Sequence, residues 1–411
     1  MKIAFLTIIP FAAALSSCSF SDAINKFNDV FGNNYETDSE AKAKIDSAIA
    51  NGESNVTVWV GDASDEKAVS LATTSPAYDR EYVSVSYAAG QRMISYSFEY
   101  KTGSISENRS DWKRDESREI ADVTFTSDVP LDEWKTFPTD GRVKKLKATT
   151  GEQLVKMCES DYSPVPVPNS DAERLYAKAK DIISKNIPFS SKDAEKAALA
   201  YSYIGRTSEY DIDIVKKTLS DPLAWRSHRL EGPMEDGVGV CDGFAREYSL
   251  LLNTMGIKCE RISGVGSDGV GHMWNEVSID GEWHMADPTN SNASVNGTGS
   301  AMLWNDFLAE PDRLASEYQL RDGYTFPKGD SAYDFYGMSG SVVSDYQDVV
   351  KSLEKLPSDG RSSVQIKPSY DDPDGSKTGL MVQTAVDQVG LDGVAKLWDK
   401  TSKVMTLFRG V

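Results

Sequence analysis

Apolar and polar side chains alternate along several runs in the first part of the chain, as they do in half-buried β-strands. The runs are Asn55–Val60, Tyr82–Tyr87, Met93–Tyr100 and Asp122–Thr126. The glycine-containing stretch between the second and third runs predicts a hairpin. Residues 55–162 are therefore predicted to form a small β-rich domain.

Helical spacing flanks this region on both sides. Asp38–Gly52 predicts a short helix ended by glycine, within a polar segment that covers residues 18–54. Three prolines in residues 163–170 (SPVPVPNS) favour extended backbone and predict a linker. The amphipathic stretch Asp171–Lys185 and the alanine-rich stretch Ala194–Tyr203 then predict two helices.

The last part of the chain alternates between helical and strand patterns. Ser344–Leu356 and Lys377–Lys400 predict helices, and Val364–Pro368 and Val404–Phe408 predict strands. Residues 331–411 are therefore predicted to form an α/β C-terminal region.

Composition narrows the class of protein. The 411 residues carry 44 Lys plus Arg against 63 Asp plus Glu, which gives a net charge of −19 at pH 7. The sequence has no basic stretch, so binding to nucleic acid through phosphate contacts is excluded as a main function. The length favours two or three domains.

The N-terminus predicts export from the cytoplasm. A lysine at position 2 precedes an apolar run, Ile3–Leu15, that suits the core of a signal peptide and is too short to span a bilayer. Leu15-Ser16-Ser17-Cys18 resembles the bacterial lipoprotein lipobox, which implies cleavage after residue 17 and a lipid on Cys18. Ordinary secretion is the alternative. The expected location is outside the cytoplasm, anchored at the cell surface or in the periplasm.

The other three cysteines are Cys158, Cys241 and Cys259. Such a small number does not suggest a disulfide-rich fold. A Cys158–Cys259 bridge is one possibility, and two buried free thiols is the preferred interpretation.

Cys241 is predicted to begin a helix. It follows the glycine-rich bend Gly237–Val240, and apolar residues recur at helical spacing from Phe244 to Met255, before Gly256. Free backbone N–H groups and the positive end of the helix dipole favour a thiolate at this position. A small buried cysteine in a core helix is the alternative interpretation.

A second cluster of polar residues lies on a predicted hairpin. Two strand-like runs flank Asp280-Gly281, a strong turn signal, so that Ile279 is expected to pair with Glu282. His272 then lies diagonally across from Asp287 on one face of the sheet, within hydrogen-bonding reach. Asn275 and His284 are predicted to point to the opposite face. Cys241, His272 and Asp287 would thus supply a nucleophile, a base and an orienting acid.

The stretches GVCDGFA, GHMWNEV and DG-EWHMADPT resemble the three motifs of the transglutaminase-like superfamily, whose core is a circularly rearranged papain-like fold. The resemblance extends over about Tyr201–Asn290. It implies an α+β domain, placed at residues 171–330, with Cys241 as nucleophile, His272 as base and Asp287 as orienting acid. No cofactor is implied.

Other side chains are candidates for supporting roles. Tyr210, Trp225 and Trp274 could line the groove or the oxyanion site, and Trp274 is expected to shield the imidazole from water. A core position is the alternative for the first two. No metal site is expected: Asp371–Ser376 superficially resembles part of a calcium loop, but the required glutamate is missing, which favours a turn.

The predicted function is an extracytoplasmic cysteine enzyme that attacks amide bonds through an acyl-thioester, with a peptidase or amidase on surface or cell-wall peptides as the first choice. A protein cross-linking transamidase uses the same acyl-enzyme and is the first alternative. A surface lipoprotein that binds peptides or glycans without catalysis is the second. A third makes the β-rich region the working part, as an adhesin or scaffold.

Overall fold

The chain divides into two compact units, Met1–Ser104 with Arg142–Glu173 and Ile105–Gly141 with Arg174–Val411. The computed structural model describes residues 35–90, 92–101, 130–215, 222–266, 269–295, 299–309, 315, 317–320, 333, 335–358 and 363–409. The lipobox-like segment with Cys18 and the predicted strand Asp122–Thr126 lie outside these residues.

The first unit combines helices and strands. Its helices are α1 (Asp38–Ala50), α2 (Asp65–Thr73) and α3 (Gly151–Glu159). Its strands are β1 (Asn55–Trp59), β2 (Val83–Ala89), β3 (Met93–Tyr100), β4 (Lys145–Ala148) and β5 (Ser163–Pro166). The first three form an antiparallel sheet in the order β1-β3-β2, which confirms the predicted hairpin. Alternate residues of these strands, such as Val58, Ile94 and Tyr96, are buried in the core.

The predicted linker at residues 163–170 is wrong in its first half. Residues Ser163–Pro166 form strand β5, which pairs in parallel with β4, and Ser163 and Pro164 are buried. Proline favours the extended backbone, as expected. The segment is nevertheless part of the folded unit, because the carbonyls of Pro-rich backbone and its few N–H groups can still complete a two-stranded edge ladder.

The second unit contains most of the helices. They are α4 (Asp171–Asn186), whose first three residues belong to the first unit, α5 (Asp193–Thr207), α6 (Ile212–Val215), α7 (Pro222–Ser227), α8 (Cys241–Thr254), α9 (Phe335–Ser339), α10 (Tyr346–Ser358) and α11 (Ser376–Val389). A π-helical turn covers Gly232–Asp236, and 3₁₀ turns cover Pro138–Gly141 and Pro288–Asn290. Two short strands, β6 (Glu209–Tyr210) and β7 (Val238–Gly239), pair in parallel just before α8.

A four-stranded antiparallel sheet in this unit carries the predicted hairpin. Its strands are β8 (Cys259–Val265), β9 (Gly271–Ile279), β10 (Glu282–Ala286) and β13 (Gln319–Leu320), in the order β10-β9-β8-β13. Between them in sequence, β11 (Asn292–Val295) and β12 (Gly299–Met302) form a separate hairpin. Helix α8 packs against β8 and β9. The expected α+β class, with helices on an antiparallel sheet, is confirmed.

A second sheet follows in the C-terminal region. Its strands are β14 (Val342–Val343), β15 (Ser363–Pro368), β16 (Val394–Asp399) and β17 (Val404–Arg409), in the order β14-β15-β17-β16. The single helix predicted over Lys377–Lys400 is wrong in its second half. Helix α11 ends at Val389 because Gly390 adopts φ = 70°, and the following residues form β16.

Candidate active site

Cys241 is the first residue of α8, as predicted. Val240 before it is extended (φ −115°, ψ 179°), and its N–H donates to the Ser227 carbonyl at 3.0 Å. The Phe244 N–H donates back to the Val240 carbonyl, which starts the helix. A Cβ at Gly243 would lie 2.4 Å from the same Ser227 carbonyl, so this helical position requires glycine. The half-buried Cys241 thiol is thus fixed at a helix N-terminus.

The residue after the nucleophile is held by a histidine and an arginine. Asp242 Oδ1 lies 2.8 Å from His228 Nδ1, and Asp242 Oδ2 lies 3.2 Å from the Arg246 guanidinium. Arg246 also donates to the carbonyls of His228 and Asp242, each at 2.8 Å. Burial opposes the charge on Asp242, but Arg246 and His228 outweigh burial and lower the pKa of this carboxyl. Asp242 is therefore an anion with a local counterion.

A buried ion pair supports the backbone that leads to Cys241. Arg226 binds Asp236 through two hydrogen bonds of 2.7 and 2.8 Å and also contacts Glu235. The neighbouring Ser227 hydroxyl donates to Asp211, whose own N–H donates to the Gly239 carbonyl. These contacts tie α7, the π-helical turn and β7 together just before the nucleophile.

The hairpin has the predicted register. Ile279 pairs with Glu282, and Asn275 pairs with Ala286. Both turn residues adopt positive φ, with Asp280 at 52° and Gly281 at 87°. The pairing brings His272 and Asp287 to the same face.

Asp287 is the hydrogen-bonding centre of the site. Its Oδ2 accepts from His272 Nε2 at 2.6 Å, from the Tyr318 hydroxyl at 2.7 Å and from Asn290 Nδ2 at 3.3 Å. Its Oδ1 accepts from the Thr289 N–H at 3.0 Å. The predicted contact between His272 and Asp287 is confirmed.

The Cys241 thiol is close enough to His272 to affect the pKa of its imidazole. Because Nε2 is directed to Asp287, the other ring nitrogen is the one available to the thiol. Burial opposes the positive charge on His272, but the charge of Asp287, its hydrogen bond and the nearby Cys241 thiol outweigh it and raise the pKa of the imidazole to about 10. Burial likewise opposes the charge on Asp287, whose pKa is lowered by His272 first and by its hydrogen bonds second. The pair is therefore an imidazolium and a carboxylate at neutral pH.

Aromatic rings cover the imidazole. The His272 ring stacks on Tyr318 at 5.5 Å between centroids and on Trp274 at 5.9 Å. Trp274 is 1% exposed and packs with Tyr318 at 4.8 Å. The position of Trp274 agrees with the expected shielding of the imidazole from water.

Tyr210 and Trp225, the other two groove candidates, lie in elements that precede the nucleophile in the chain. Tyr210 is 42% exposed in β6, where it pairs with Gly239, and its ring lies 6.5 Å from that of Phe244. Trp225 is half-buried in α7. Their roles at the groove or oxyanion site stay predictions.

Asn275 and His284 do not take part in the His272–Asp287 contact, as predicted. Asn275 Nδ2 donates to the Ala245 carbonyl of α8 at 2.9 Å, and the His284 ring packs edge-on against Tyr333. Both residues therefore have structural roles away from the His272–Asp287 contact, Asn275 against helix α8 and His284 against Tyr333.

Four residues that support Asp287 were not predicted from the sequence. Tyr201 donates to the Asp287 carbonyl at 3.0 Å, and the Asp287 N–H donates to the Asp306 carbonyl at 2.8 Å. Asn290 connects the carboxylates of Asp287 and Asp306, and Tyr318 contacts both. Only Asn290 carried a local signal, because it directly follows the third motif.

The remaining thiols are structural. Cys158 and Cys259 are buried thiols that are not joined in a disulfide, as the preferred interpretation expected. Within the described residues, no group of His, Cys, Asp and Glu is arranged to hold a metal ion. No helix in the described part of the chain is both long and apolar enough to cross a membrane.

Comparison with known proteins finds a family-model match over the region that carries this site. Residues 182–288 match the family model of the transglutaminase-like superfamily core, a range that includes Cys241, His272 and Asp287. The kyphoscoliosis peptidase of Mus musculus is 24% identical over 141 residues, which are 31% of this chain. The chain spans only 20% of the length of that relative.

The solved structures that the chain matches include a TGase and a candidate cysteine protease from Cytophaga hutchinsonii. The first is 13% identical, with a TM-score of 0.26, and the match covers 60% of this chain and 53% of the other. The second is 15% identical, with a TM-score of 0.23, over 49% and 55% of the two chains. The similarity therefore rests on the family model: residues 182–288 of this chain are similar to the core of the transglutaminase-like superfamily.

Proposed function

We propose that the chain is a cysteine enzyme that cleaves amide bonds through an acyl-thioester, with Cys241 as nucleophile, His272 as general base and acid, and Asp287 as the orienting carboxylate. The observation that supports this most directly is the 2.6 Å contact between His272 Nε2 and Asp287, in a site where Cys241 begins helix α8 and contributes to the raised pKa of the imidazole. An imidazole held in this way stabilises a thiolate and is ready to deliver a proton.

In the acylation step, the Cys241 thiolate attacks the carbonyl carbon of the substrate amide and forms the C–S bond. The carbonyl oxygen becomes an oxyanion, which the backbone N–H groups of the first turn of α8 stabilise. The carbon–nitrogen bond then breaks as the His272 imidazolium gives its proton to the leaving nitrogen. The products of this step are an amine, a thioester on Cys241 and a neutral imidazole.

In the second step, His272 takes a proton from the incoming nucleophile as it attacks the thioester. Attack by water yields a carboxylic acid, and attack by an amine yields a new amide. In both cases the C–S bond breaks, and the thiolate and imidazolium are restored. Hydrolysis is the reaction we favour, and transfer to an amine is the alternative that the same residues allow.

The proposed setting is outside the cytoplasm, with peptides or proteins of the cell surface or cell wall as substrates. The signal-peptide pattern and the lipobox-like sequence that ends at Cys18 support it. A lipid on Cys18 would anchor the protein to the membrane without a spanning helix. The mass of the mature N-terminal peptide checks this, because a secreted form would carry an unmodified cysteine or lack residue 18.

The test of the catalytic proposal is the pH dependence of iodoacetamide labelling at Cys241 in the wild type and in His272→Ala. We expect fast labelling below pH 7 in the wild type and its loss in the variant, because the imidazolium stabilises the reactive thiolate. His228→Ala is the matched control. His228 is a second histidine near Cys241, but its ring binds Asp242, so low-pH labelling should persist.

Mass spectrometry of the labelled peptide separates Cys241 from the buried Cys158 and Cys259. Equal and slow labelling in the wild type and His272→Ala would overturn the catalytic proposal and leave a peptide- or glycan-binding surface as the better interpretation. If labelling behaves as expected, incubation with a peptide library, with and without an added primary amine, distinguishes hydrolysis from transfer by the mass of the products.

A further inference from the structure

Tyr318 touches both His272 and Asp287, although it lies outside all three sequence motifs. Its hydroxyl donates to Asp287 Oδ2 at 2.7 Å, and its ring stacks on the imidazole at 5.5 Å with an angle of 18° between the planes. The side chain is buried, with 5% of the residue exposed. A single residue therefore contacts the acid through a hydrogen bond and the base through its ring.

The acceptor atom makes the hydroxyl contact significant. Asp287 Oδ2 is the oxygen that binds His272 Nε2, while Oδ1 is held by the Thr289 N–H. With donors on both oxygens, the carboxylate has a fixed plane and a fixed rotation. Because the direction of Oδ2 sets the direction of the Nε2–H bond, a fixed carboxylate also fixes the imidazole tautomer and its orientation toward Cys241.

Hydrogen bonding around Tyr318 directs its single proton to Asp287. The Tyr318 oxygen lies 2.7 Å from Asp287 Oδ2 but 3.4 Å from Asp306 Oδ2. Asn290 Nδ2 donates to the Tyr318 oxygen at 3.1 Å and to Asp306 Oδ2 at 2.8 Å. Asp306 Oδ2 thus accepts from Asn290, and the Tyr318 hydroxyl donates its proton to Asp287.

The ring contributes separately from the hydroxyl. His272, Trp274 and Tyr318 pack against one another, with Trp274 and Tyr318 4.8 Å apart. Stacked rings exclude water from the imidazole face, and their π-electrons favour its positive form. The ring keeps His272 in place while the hydroxyl keeps Asp287 in place.

We propose that Tyr318 is a positioning residue for the acyl-transfer reaction, which fixes the Asp287 carboxylate through its hydroxyl and the His272 imidazole through its ring. This inference rests on the proposed function of the same site. It concerns how the base is aligned, and the bond-breaking steps remain those of Cys241 and His272.

The experiment compares Tyr318→Phe with Tyr201→Phe. Both variants delete a buried hydroxyl that donates to Asp287, but Tyr318 donates to the carboxylate and Tyr201 to the main-chain carbonyl. The readout is the midpoint pH of iodoacetamide labelling at Cys241. In Tyr318→Phe the Asp287 carboxylate loses one of the hydrogen bonds that lower its pKa. It is therefore protonated at a higher pH and then no longer forms an ion pair with the His272 imidazolium. We expect the midpoint to rise by about one pH unit, which is about a tenfold slower reaction on the acid side.

In Tyr201→Phe the midpoint should stay at the wild-type value. Equal midpoints in all three proteins, or equal shifts in both variants, would overturn the proposal, because a merely structural role would affect the two alike. Once a substrate is known, Tyr318→Phe should lower kcat and leave KM unchanged, because Tyr318 aligns the base and does not bind the substrate. Should Tyr318→Phe fail to fold, Asn290→Ala replaces it. This exposed residue donates to the Tyr318 oxygen at 3.1 Å and, at the longer distance of 3.3 Å, to Asp287 Oδ2, so its loss should loosen the contact between Tyr318 and Asp287 and raise the midpoint by a smaller amount.

A second readout keeps this test separate from the test of catalysis. The proton on His272 Nε2 can be followed by NMR in protein with labelled histidine. Its exchange with water should be faster in Tyr318→Phe than in Tyr201→Phe, whether or not Cys241 proves reactive. Unchanged exchange would overturn the positioning role alone, whereas labelling that does not depend on His272 would overturn the proposed function alone.

Discussion

The Cys241 side and the His272 side of the site hold their reactive groups with different kinds of contact. Around Cys241 the supporting residues are charged, with Arg226 bound to Asp236 and Arg246 bound to Asp242. Around His272 they are aromatic rings and uncharged donors, of which Tyr318 is both. One side is built as paired ions, and the other as a buried stack with a single ion pair at its centre.

The two sides also differ in how far along the chain their parts are spread. The contacts that place Cys241 come from residues 211–246, in which a few short elements fold back on one another. Asp287 is held by Tyr201, Asp306 and Tyr318, which are brought together only by the complete unit. The nucleophile therefore depends on local backbone geometry, and the base depends on long-range packing.

The largest effect is expected from Gly243→Ala on the nucleophile side. Alanine normally favours a helix, but here its Cβ would lie 2.4 Å from the Ser227 carbonyl, which also anchors Val240. We expect the full-length protein to lose about 1–3 kcal/mol of unfolding free energy and Cys241 to label more slowly. Urea denaturation and the labelling rate measure the two effects.

Gly379→Ala in α11 is the matched control, because it is also a helical glycine. A Cβ there would meet Met405 at 3.9 Å, an ordinary contact, so the propensity of alanine should stabilise the protein by about 0.5–1 kcal/mol. Equal effects of both substitutions would mean that close approach to Ser227 does not constrain the nucleophile.

Those parts of the site that depend on local pairing could be predicted from the sequence. The Asp280-Gly281 turn fixes the hairpin register, and the register alone selects Asp287 as partner of His272 over Asn275. The glycine-rich bend and apolar spacing likewise placed Cys241 at a helix N-terminus. Each of these signals lies within about twenty residues of the feature that it predicts.

The features that the sequence did not predict depend mostly on residues that are far apart in the chain. Tyr318 and Asp306 have no pattern around them that indicates a contact with Asp287, because their approach depends on the whole second unit. The prolines of Ser163–Pro166 predict a linker, and only the presence of β4 beside this segment makes it a strand. The helix predicted over Lys377–Lys400 stops early for a local reason, because Gly390 adopts positive φ and ends α11 at Val389.

On the imidazole side, stability should fall at high pH. The folded pKa of His272, about 10, exceeds its ordinary value of 6.5, so the stabilisation is complete below 6.5 and is lost as the pH rises toward 10. The difference in unfolding free energy between wild type and His272→Gln should therefore shrink from pH 6 to pH 9.5. A change on the order of 1–2 kcal/mol is expected, because desolvation offsets much of the ion pair.

The nucleophile side should respond in the opposite direction. The pKa of Asp242 is lowered, so its contribution is present at neutral pH and is lost as the pH falls below the ordinary carboxyl value of 3.8. Asp242→Asn should accordingly match the wild type more closely at pH 3 than at pH 7. A His272→Gln difference that stays constant from pH 6 to pH 9.5 would contradict the assignment of His272 as an imidazolium in the folded protein.

The smallest effect is expected from Arg246→Met, which removes the counterion of Asp242 beside the nucleophile. The Asp242 carboxylate would then repel the thiolate, with only His228 left as a partner, while the stem of methionine preserves most of the packing. Labelling of Cys241 should slow about three- to fivefold, as expected for a partly exposed ion pair. Adding Asp242→Asn should restore the rate, because it removes the carboxylate that the arginine balances. Failure of the double variant to recover would show that Arg246 acts through its hydrogen bonds to the His228 and Asp242 carbonyls, so that the nucleophile side depends on backbone contacts more than on charge.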